Sequence, residues 1–184
     1  MGPDRLAAGD AGVSRLICLH GPESTGKSTL APRLAAALGG EVVAEYGRTF
    51  AEERGTDFTM ADLVEIAETH DRLTKEAVAC GVDPVILDTD PLMTAAWAVM
   101  LFGRRDPWFD RWRGTADLYL LLDIDLPWID DGTRLFGTAE LRQRFLDVSR
   151  EELERRGLPW AWVRGEGEAR FESAMAAVRG AGLA

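Results

Sequence analysis

The residues best suited to chemistry form the run Gly21-Pro22-Glu23-Ser24-Thr25-Gly26-Lys27-Ser28, which has the pattern G-x-x-x-x-G-K-S. An apolar segment precedes the run and a helix-like segment follows it, which is the context of a phosphate-binding loop, or P-loop. Glycines let backbone N–H groups turn toward phosphate oxygens, and the positive end of the following helix adds to their field. The run therefore predicts a nucleoside triphosphate site, whose contacts are Gly21, Glu23, Ser24, Thr25, Gly26, Lys27, Ser28 and Thr29.

Two side chains of the run have assigned tasks in such a site. Lys27 would contact the β- and γ-phosphates, and Ser28 would bind Mg²⁺ through its hydroxyl. Of the 21 basic residues only Lys27 and Lys75 are lysines, the others being arginines. A compact ammonium fits between phosphate oxygens better than a wide guanidinium, so the lysine at position 27 agrees with this function.

Acidic residues follow an apolar strand-like segment at 84–88. Asp88 at its end has the Walker B arrangement, in which a carboxylate holds Mg²⁺. Asp90 would lie near the same mouth or, because Pro91 follows it, would cap a helix. The sequence leaves both possibilities for Asp90 open.

A third acidic residue, Glu45, lies near the end of the segment 41–46, which we predict to be a strand. A carboxylate there would face the acceptor side of the P-loop, where it could orient a hydroxyl and accept its proton. Arg48 follows closely. The alternative for Glu45 and Arg48 is a surface pair at the start of a helix.

A polar stretch at about 127–139 lies between a predicted strand and an arginine-rich helix, where a short lid would be expected. Arg134 in this stretch could neutralise charge that develops on a transferred phosphoryl group. Arg142 and Arg144 could act in the same way or lie on a solvated helix face. Tryptophans could stack on a heterocycle, although packing is the commoner fate; these are Trp97, Trp108, Trp112 and Trp128.

Composition excludes several classes of protein. The formal net charge of −10 argues against a nucleic-acid or anionic-membrane surface. No apolar run is long enough to span a membrane, and two cysteines favour a reduced, cytoplasmic setting over a disulfide framework. The chain contains no Asn, so the N-K-x-D signature of guanine-specific GTPases is absent. The oligomeric state stays open.

Apolar strands alternate with helices along the chain, which predicts an α/β fold of the P-loop kinase type. We expect a five-stranded parallel sheet with helices on both faces, and ligands at the carboxyl ends of its strands. His70 shares the apolar face of a helix at 60–80 and is predicted to be a core histidine. Residues 1–14 are predicted to be a flexible tail and 15–184 a single domain that includes the lid.

Four motifs together resemble the ribosylnicotinamide kinase module of NadR-type proteins, within the P-loop kinase superfamily. They occur in the family's order over about residues 15–165, and they are Gly21–Thr29, Ala44-Glu45-Tyr46-Gly47-Arg48, Leu87-Asp88-Thr89-Asp90-Pro91, and Leu122-Asp123-Ile124-Asp125 leading into Pro127–Arg134. The resemblance implies that ATP, with Mg²⁺, phosphorylates the ribose 5′-hydroxyl of nicotinamide riboside to give nicotinamide mononucleotide, a step of NAD biosynthesis. Since about 14 residues precede the first strand, the adenylyl transfer and DNA binding of longer members are not expected here.

The resemblance also implies roles for individual residues. The catalytic set would be Lys27, Glu45, Asp88 and Arg134, with Ser28 and Asp88 at the metal. The riboside would meet Glu45, Tyr46, Arg48, Asp90, Trp128 and Asp131. Two alternatives are a P-loop kinase for another nucleoside or small alcohol, and a regulatory ATPase module whose shape is switched by nucleotide.

Overall fold

The computed structural model describes residues 14–184, and these residues fold around a five-stranded parallel sheet. The strands are β1 (Leu16–His20), β2 (Glu41–Val43), β3 (Val85–Asp88), β4 (Leu118–Leu122) and β5 (Trp160–Val163). Their spatial order is β2-β3-β1-β4-β5, and every neighbouring pair is parallel. The predicted fold class is therefore confirmed. The predicted tail, apart from Ser14, lies outside the described residues.

Helices cover both faces of this sheet, as a buried parallel sheet requires. Those of residues 14–184 are α1 (Lys27–Leu38), α2 (Tyr46–Arg54), α3 (Met60–Ala79), α4 (Pro91–Phe102), α5 (Pro107–Arg111), α6 (Ala139–Arg155) and α7 (Gly167–Gly180). On one face, α1 and α7 pack against alternate strand residues such as Leu19 and Leu120. On the other, Tyr119 and Leu121 contact Leu146 and Leu153 of α6. No helix in this part of the chain is both long and apolar enough to cross a bilayer.

The stretch that follows β2 differs from the sequence-based expectation. The predicted strand 41–46 is wrong beyond Val43, because Tyr46 begins helix α2 and Glu45 is its N-cap residue. The pattern Val-Val-Ala-Glu-Tyr has the apolar character of a strand, but Phe50 of α2 is buried in one cluster with Leu63 and Ile66 of α3. This tertiary contact favours the helix. The short helix α5 also went unpredicted; Asp106 caps its first turn and Pro107 opens it.

Candidate active site

A cavity of about 290 Å³ opens at the carboxyl ends of the central strands. One end is formed by the P-loop and the other by apolar side chains of α2, α3 and α4, with lid residues at the side. The lining residues are Gly21, Glu23–Thr29, Glu45, Gly47, Arg48, Ala51, Phe58, Leu63, Ile66, His70, Thr89, Met93, Thr94, Trp97, Thr133 and Arg134. The cavity thus joins a polar end to an apolar end.

The P-loop is built by backbone positions that require glycine. Gly21 has φ +124°, and a Cβ there would lie 2.8 Å from the carbonyl oxygen of Leu122. Gly26, at φ +83°, is the N-cap residue of α1, so the first amides of that helix face the loop. This geometry supplies the inward-facing donors that a phosphate chain needs.

The Lys27 side chain lies inside the loop. Its Nζ donates to the carbonyl oxygens of Gly21 at 2.8 Å and Pro22 at 2.6 Å. Burial lowers the pKa of Lys27, while the neighbouring carboxylates of Glu45 and Asp88 oppose that shift. The ammonium is thereby placed at the polar end of the cavity, within the field of two acidic groups.

Those two carboxylates occupy different positions relative to the cavity. Glu45 lines it, and burial raises the pKa of this carboxyl group, with Lys27 acting in the opposite direction. Asp88 is buried at the end of β3, and its Oδ1 has no hydrogen-bond partner among residues 14–184. Such a buried oxygen suits a metal-bound water, because Mg²⁺ keeps several waters and takes few protein ligands. Ser28 lines the cavity nearby, so its hydroxyl also fits this ion.

Two P-loop side chains hold the lid, which we define as residues 127–139. The Glu23 carboxylate accepts from the backbone N–H of Leu135 at 3.0 and 3.2 Å and of Phe136 at 3.1 Å. Burial raises the pKa of Glu23, and the two amide hydrogen bonds oppose this shift. Ser24 Oγ accepts from the Ile129 N–H at 3.1 Å. The lid is therefore anchored directly on the phosphate-binding loop.

Arg134 lies where the lid borders the cavity. Its guanidinium donates to Ser24 Oγ at 2.7 Å and to the carbonyl oxygen of Ile129. Asp131 accepts from Arg134 Nε at 3.1 Å and from Arg48 Nη1 at 2.9 Å. Although desolvation acts in the opposite direction, hydrogen bonds from Arg48 and Thr133 hold the pKa of Asp131 at about 2. Asp131 thus joins the lid to α2, and the structure brings Arg48, Asp131 and Arg134 together.

Of the predicted acceptor contacts, only Glu45 and Arg48 line the cavity; Asp131, Tyr46, Asp90 and Trp128 do not, and neither does the predicted metal ligand Asp88. The Asp90 carboxylate accepts from the Tyr119 hydroxyl at 2.6 Å and the Leu92 N–H at 2.9 Å, as the N-cap of α4. Tyr46 lines a separate recess behind Glu45. The Trp128 ring packs 3.1 Å from where a Cβ of Gly137 would lie, and its Nε1 is buried.

The apolar end of the cavity is a feature that sequence reasoning missed. Phe58 and Trp97 provide its aromatic walls, and Leu63, Ile66 and His70 of α3 provide the rest. The helical spacing of the α3 residues indicated a buried stripe but not that the stripe borders a cavity. His70 is buried as expected, yet it also lines this cavity.

Comparison with known proteins agrees with this architecture. The sequence family described as AAA domain matches residues 16–170. The trifunctional NAD biosynthesis/regulator protein NadR of Escherichia coli strain K12 is 31% identical over 160 residues, which are 83% of this chain and 38% of that protein. The chain therefore spans well under half the length of this relative.

Solved structures of NadR proteins have the same fold. A NadR protein in complex with NR superimposes with a TM-score of 0.75 at 25% identity, over 92% of this chain and 52% of that one. Another, in complex with NAD and AMP-PNP, gives a TM-score of 0.74 at 22% identity, over 95% of this chain and 51% of that one. The resemblance inferred from the four motifs is thereby confirmed. With the AAA domain match extending from β1 into α7, the chain belongs to the AAA domain family.

Proposed function

We propose that this protein is an ATP-dependent kinase that phosphorylates the ribose 5′-hydroxyl of nicotinamide riboside and forms nicotinamide mononucleotide. The observation that carries the proposal is the joint cavity, in which the P-loop, the Glu45 carboxylate and an apolar end of aromatic character meet. The adenine ring of ATP could occupy an apolar end, but it would not need the Glu45 carboxylate in the same lining, whereas a hydroxyl acceptor would. The NadR structures in complex with NR and with AMP-PNP support the same pairing of ligands.

The donor ATP would lie along the P-loop. Its phosphates would be held by the backbone of Gly21 to Thr29 and by the ammonium of Lys27, which would exchange its loop carbonyls for phosphate oxygens. Ser28 and Asp88 would hold Mg²⁺, the former directly and the latter through water. When bound, the ion supplies positive charge that screens the phosphate oxygens from the incoming hydroxyl.

The acceptor would lie toward α2, α3 and α4. A pyridinium ring carries positive charge, and the aromatic faces of Phe58 and Trp97 would stabilise it by cation–π attraction. Arg48 lines the cavity beside Glu45 and would orient the ribose. Tyr46, Asp90 and Trp128 would act from behind this first layer of contacts, and Asp131 would act through Arg48 and Arg134.

The transfer step then uses the groups at the border between the two ends. Glu45 takes the proton of the 5′-hydroxyl while the hydroxyl oxygen forms a bond to the γ-phosphorus. The bond from the γ-phosphorus to the β–γ bridging oxygen breaks, and ADP leaves with that electron pair. Lys27 and Arg134 stabilise the negative charge on the transferred group. The raised pKa of Glu45 makes it a stronger base than an exposed carboxylate.

In this proposal residues 15–184 form a single kinase domain whose lid spans about 127–139. The other activities implied by the word "trifunctional" in the relative's name are not assigned to this chain. Cys18 and Cys80 are both free thiols, in keeping with a reduced cytoplasmic setting.

The proposal is tested by incubating the protein with ATP, with and without Mg²⁺, and with nicotinamide riboside, adenosine, uridine, thymidine or no acceptor. We expect Mg²⁺-dependent ADP formation with nicotinamide riboside, matched by nicotinamide mononucleotide in mass spectra. ADP formed without any acceptor would instead support the regulatory ATPase. Turnover with a different nucleoside, and none with nicotinamide riboside, would make that nucleoside the acceptor in place of nicotinamide riboside.

A lysine pair provides a matched control for this assay. Lys27→Ala should abolish transfer to every acceptor, since it removes the cation at the phosphates. Lys75, the only other lysine of the sequence, is exposed on α3 and pairs with Asp71 at 2.6 Å. Lys75→Ala should leave the rate unchanged. Equal rates for both variants would contradict the assigned donor site.

A further inference from the structure

His70 brings a polar side chain to the apolar end of the cavity. It lies on α3 one turn beyond Ile66, in the stripe that also contains Leu63. All three residues line the cavity. A leucine at position 70 would continue the apolar stripe, so packing alone does not account for a histidine there.

The hydrogen bonding of this imidazole is incomplete within the protein. His70 is 2% exposed, and its Nε2 is buried with no hydrogen-bond partner among residues 14–184. The other histidine, His20, also has one unpaired ring nitrogen among residues 14–184, its Nδ1, but it lies outside the cavity lining, and its Nε2 is 3.0 Å from the carbonyl oxygen of Ser149. Buried polar groups are nearly always paired, and an unpaired one calls for an explanation. A ligand that enters the cavity is the partner that the position of His70 allows.

The imidazole is neutral at physiological pH. Burial lowers the pKa of His70 to about 4, and the adjacent Asp71 opposes the shift only in part. The Asp71 carboxylate is engaged elsewhere, with the Trp112 indole N–H at 2.8 Å and with Lys75. A neutral imidazole offers one N–H donor and one acceptor nitrogen. It therefore suits a neutral group that both donates and accepts, such as a carboxamide, and it adds no charge next to a cationic ring.

We propose that His70 is a specificity-determining contact that hydrogen-bonds a carboxamide carried by the acceptor's ring at the apolar end of the cavity. The inference rests on the proposed function, since a riboside acceptor must bind there for the ring to reach α3. It adds to that function a physical reason why the enzyme would prefer an acceptor whose ring carries a carboxamide. A site that hydrogen-bonds a substrate group discriminates strongly against analogues that lack it, because the buried protein group is then left unpaired.

The test compares two acceptors, nicotinamide riboside and the riboside of unsubstituted pyridine, which lacks only the carboxamide. For the parent protein we expect kcat/KM to favour nicotinamide riboside by about 10- to 100-fold. His70→Phe keeps a flat ring and removes both nitrogens. It should lower kcat/KM for nicotinamide riboside by that factor, leave the pyridine riboside nearly unchanged, and bring the ratio close to one. His70→Gln, which can still donate and accept, should retain most of the preference.

Leu63→Val is the matched control, because Leu63 lines the same end of the cavity through packing alone. It should lower kcat/KM to a similar extent for both acceptors and leave the ratio of the two values unchanged. The inference is overturned if the parent protein has the same kcat/KM for both ribosides, or if His70→Phe lowers kcat/KM equally for both. Should His70→Phe not fold, His70→Leu serves in the same comparison. Failure of the parent to phosphorylate either riboside refutes the proposed function itself, which is a distinct result.

Discussion

Replacing Glu23 by alanine is expected to release the lid from the P-loop. The substitution removes the carboxylate that accepts from the Leu135 and Phe136 amides. Hydrogen bonds to charged groups contribute about 1.5–3 kcal/mol each, but the amides can bond to water once the lid opens, and burying Glu23 has its own cost. We therefore expect a net loss of about 1.5 kcal/mol, which shifts the closed-to-open ratio of the lid by roughly 10-fold.

Two measurements follow the lid in this variant. If the lid must deliver Arg134 in each turnover, kcat should fall about 10-fold while backbone contacts keep the KM for ATP within a few-fold. Hydrogen exchange of a peptide that contains residues 129–136 should accelerate by a similar factor. Glu53→Ala, at an exposed position of α2, is the control and should change neither. Unaltered exchange together with unaltered kcat in Glu23→Ala would refute the anchoring function of this carboxylate.

Three further outcomes are expected. Glu45→Gln should lower kcat by about 10²- to 10⁴-fold while ATP binding, measured by calorimetry, stays near the parent value; transfer at the parent rate would exclude Glu45 as the base. Asp88→Asn should raise the Mg²⁺ concentration needed for half-maximal rate, and an unchanged Mg²⁺ titration would remove Asp88 from the metal site. Burial raises the pKa of Asp90 from its usual 3.8 to about 6, so between these values the folded state holds a proton that the unfolded state has lost. The unfolding free energy should then decline by about 3 kcal/mol as pH rises from about 4 to 6, and Asp90→Asn, followed by urea unfolding, should remove that part of the decline; the same slope in both proteins would contradict this assignment.

The parts of the fold that are encoded locally were predictable from the sequence. The P-loop, the buried strands and the long helices each carry their signal within a short window of glycines, apolar runs or helical spacing. The start of α2 was not predictable in this way, because the packing of Phe50 stabilises the helix only when α3 lies beside it. Boundaries set by tertiary contacts have no local signature.

The candidate site shows the same division. The position of Lys27 could be predicted from its motif. The sequence could not decide between the two possibilities for Asp90, because Tyr119, which donates to its carboxylate, comes from the distant strand β4. The lid-anchoring contacts of Glu23 were missed because their partners lie 112 and 113 positions further along the chain. The apolar end was missed for a similar reason, since α3 and α4 supply its walls jointly.

The hydrogen bonds of Asp131 to Arg48 and Arg134 have a thermodynamic consequence. The lid is fastened to the donor side through Glu23 and Ser24 and to the acceptor side through Arg48. A ligand that steadies either fastening lowers the entropy loss that the other ligand meets on binding. Linkage then requires the two substrates to raise each other's affinity by one common factor. The salt bridge between Arg48 and Asp131 would set the size of that factor.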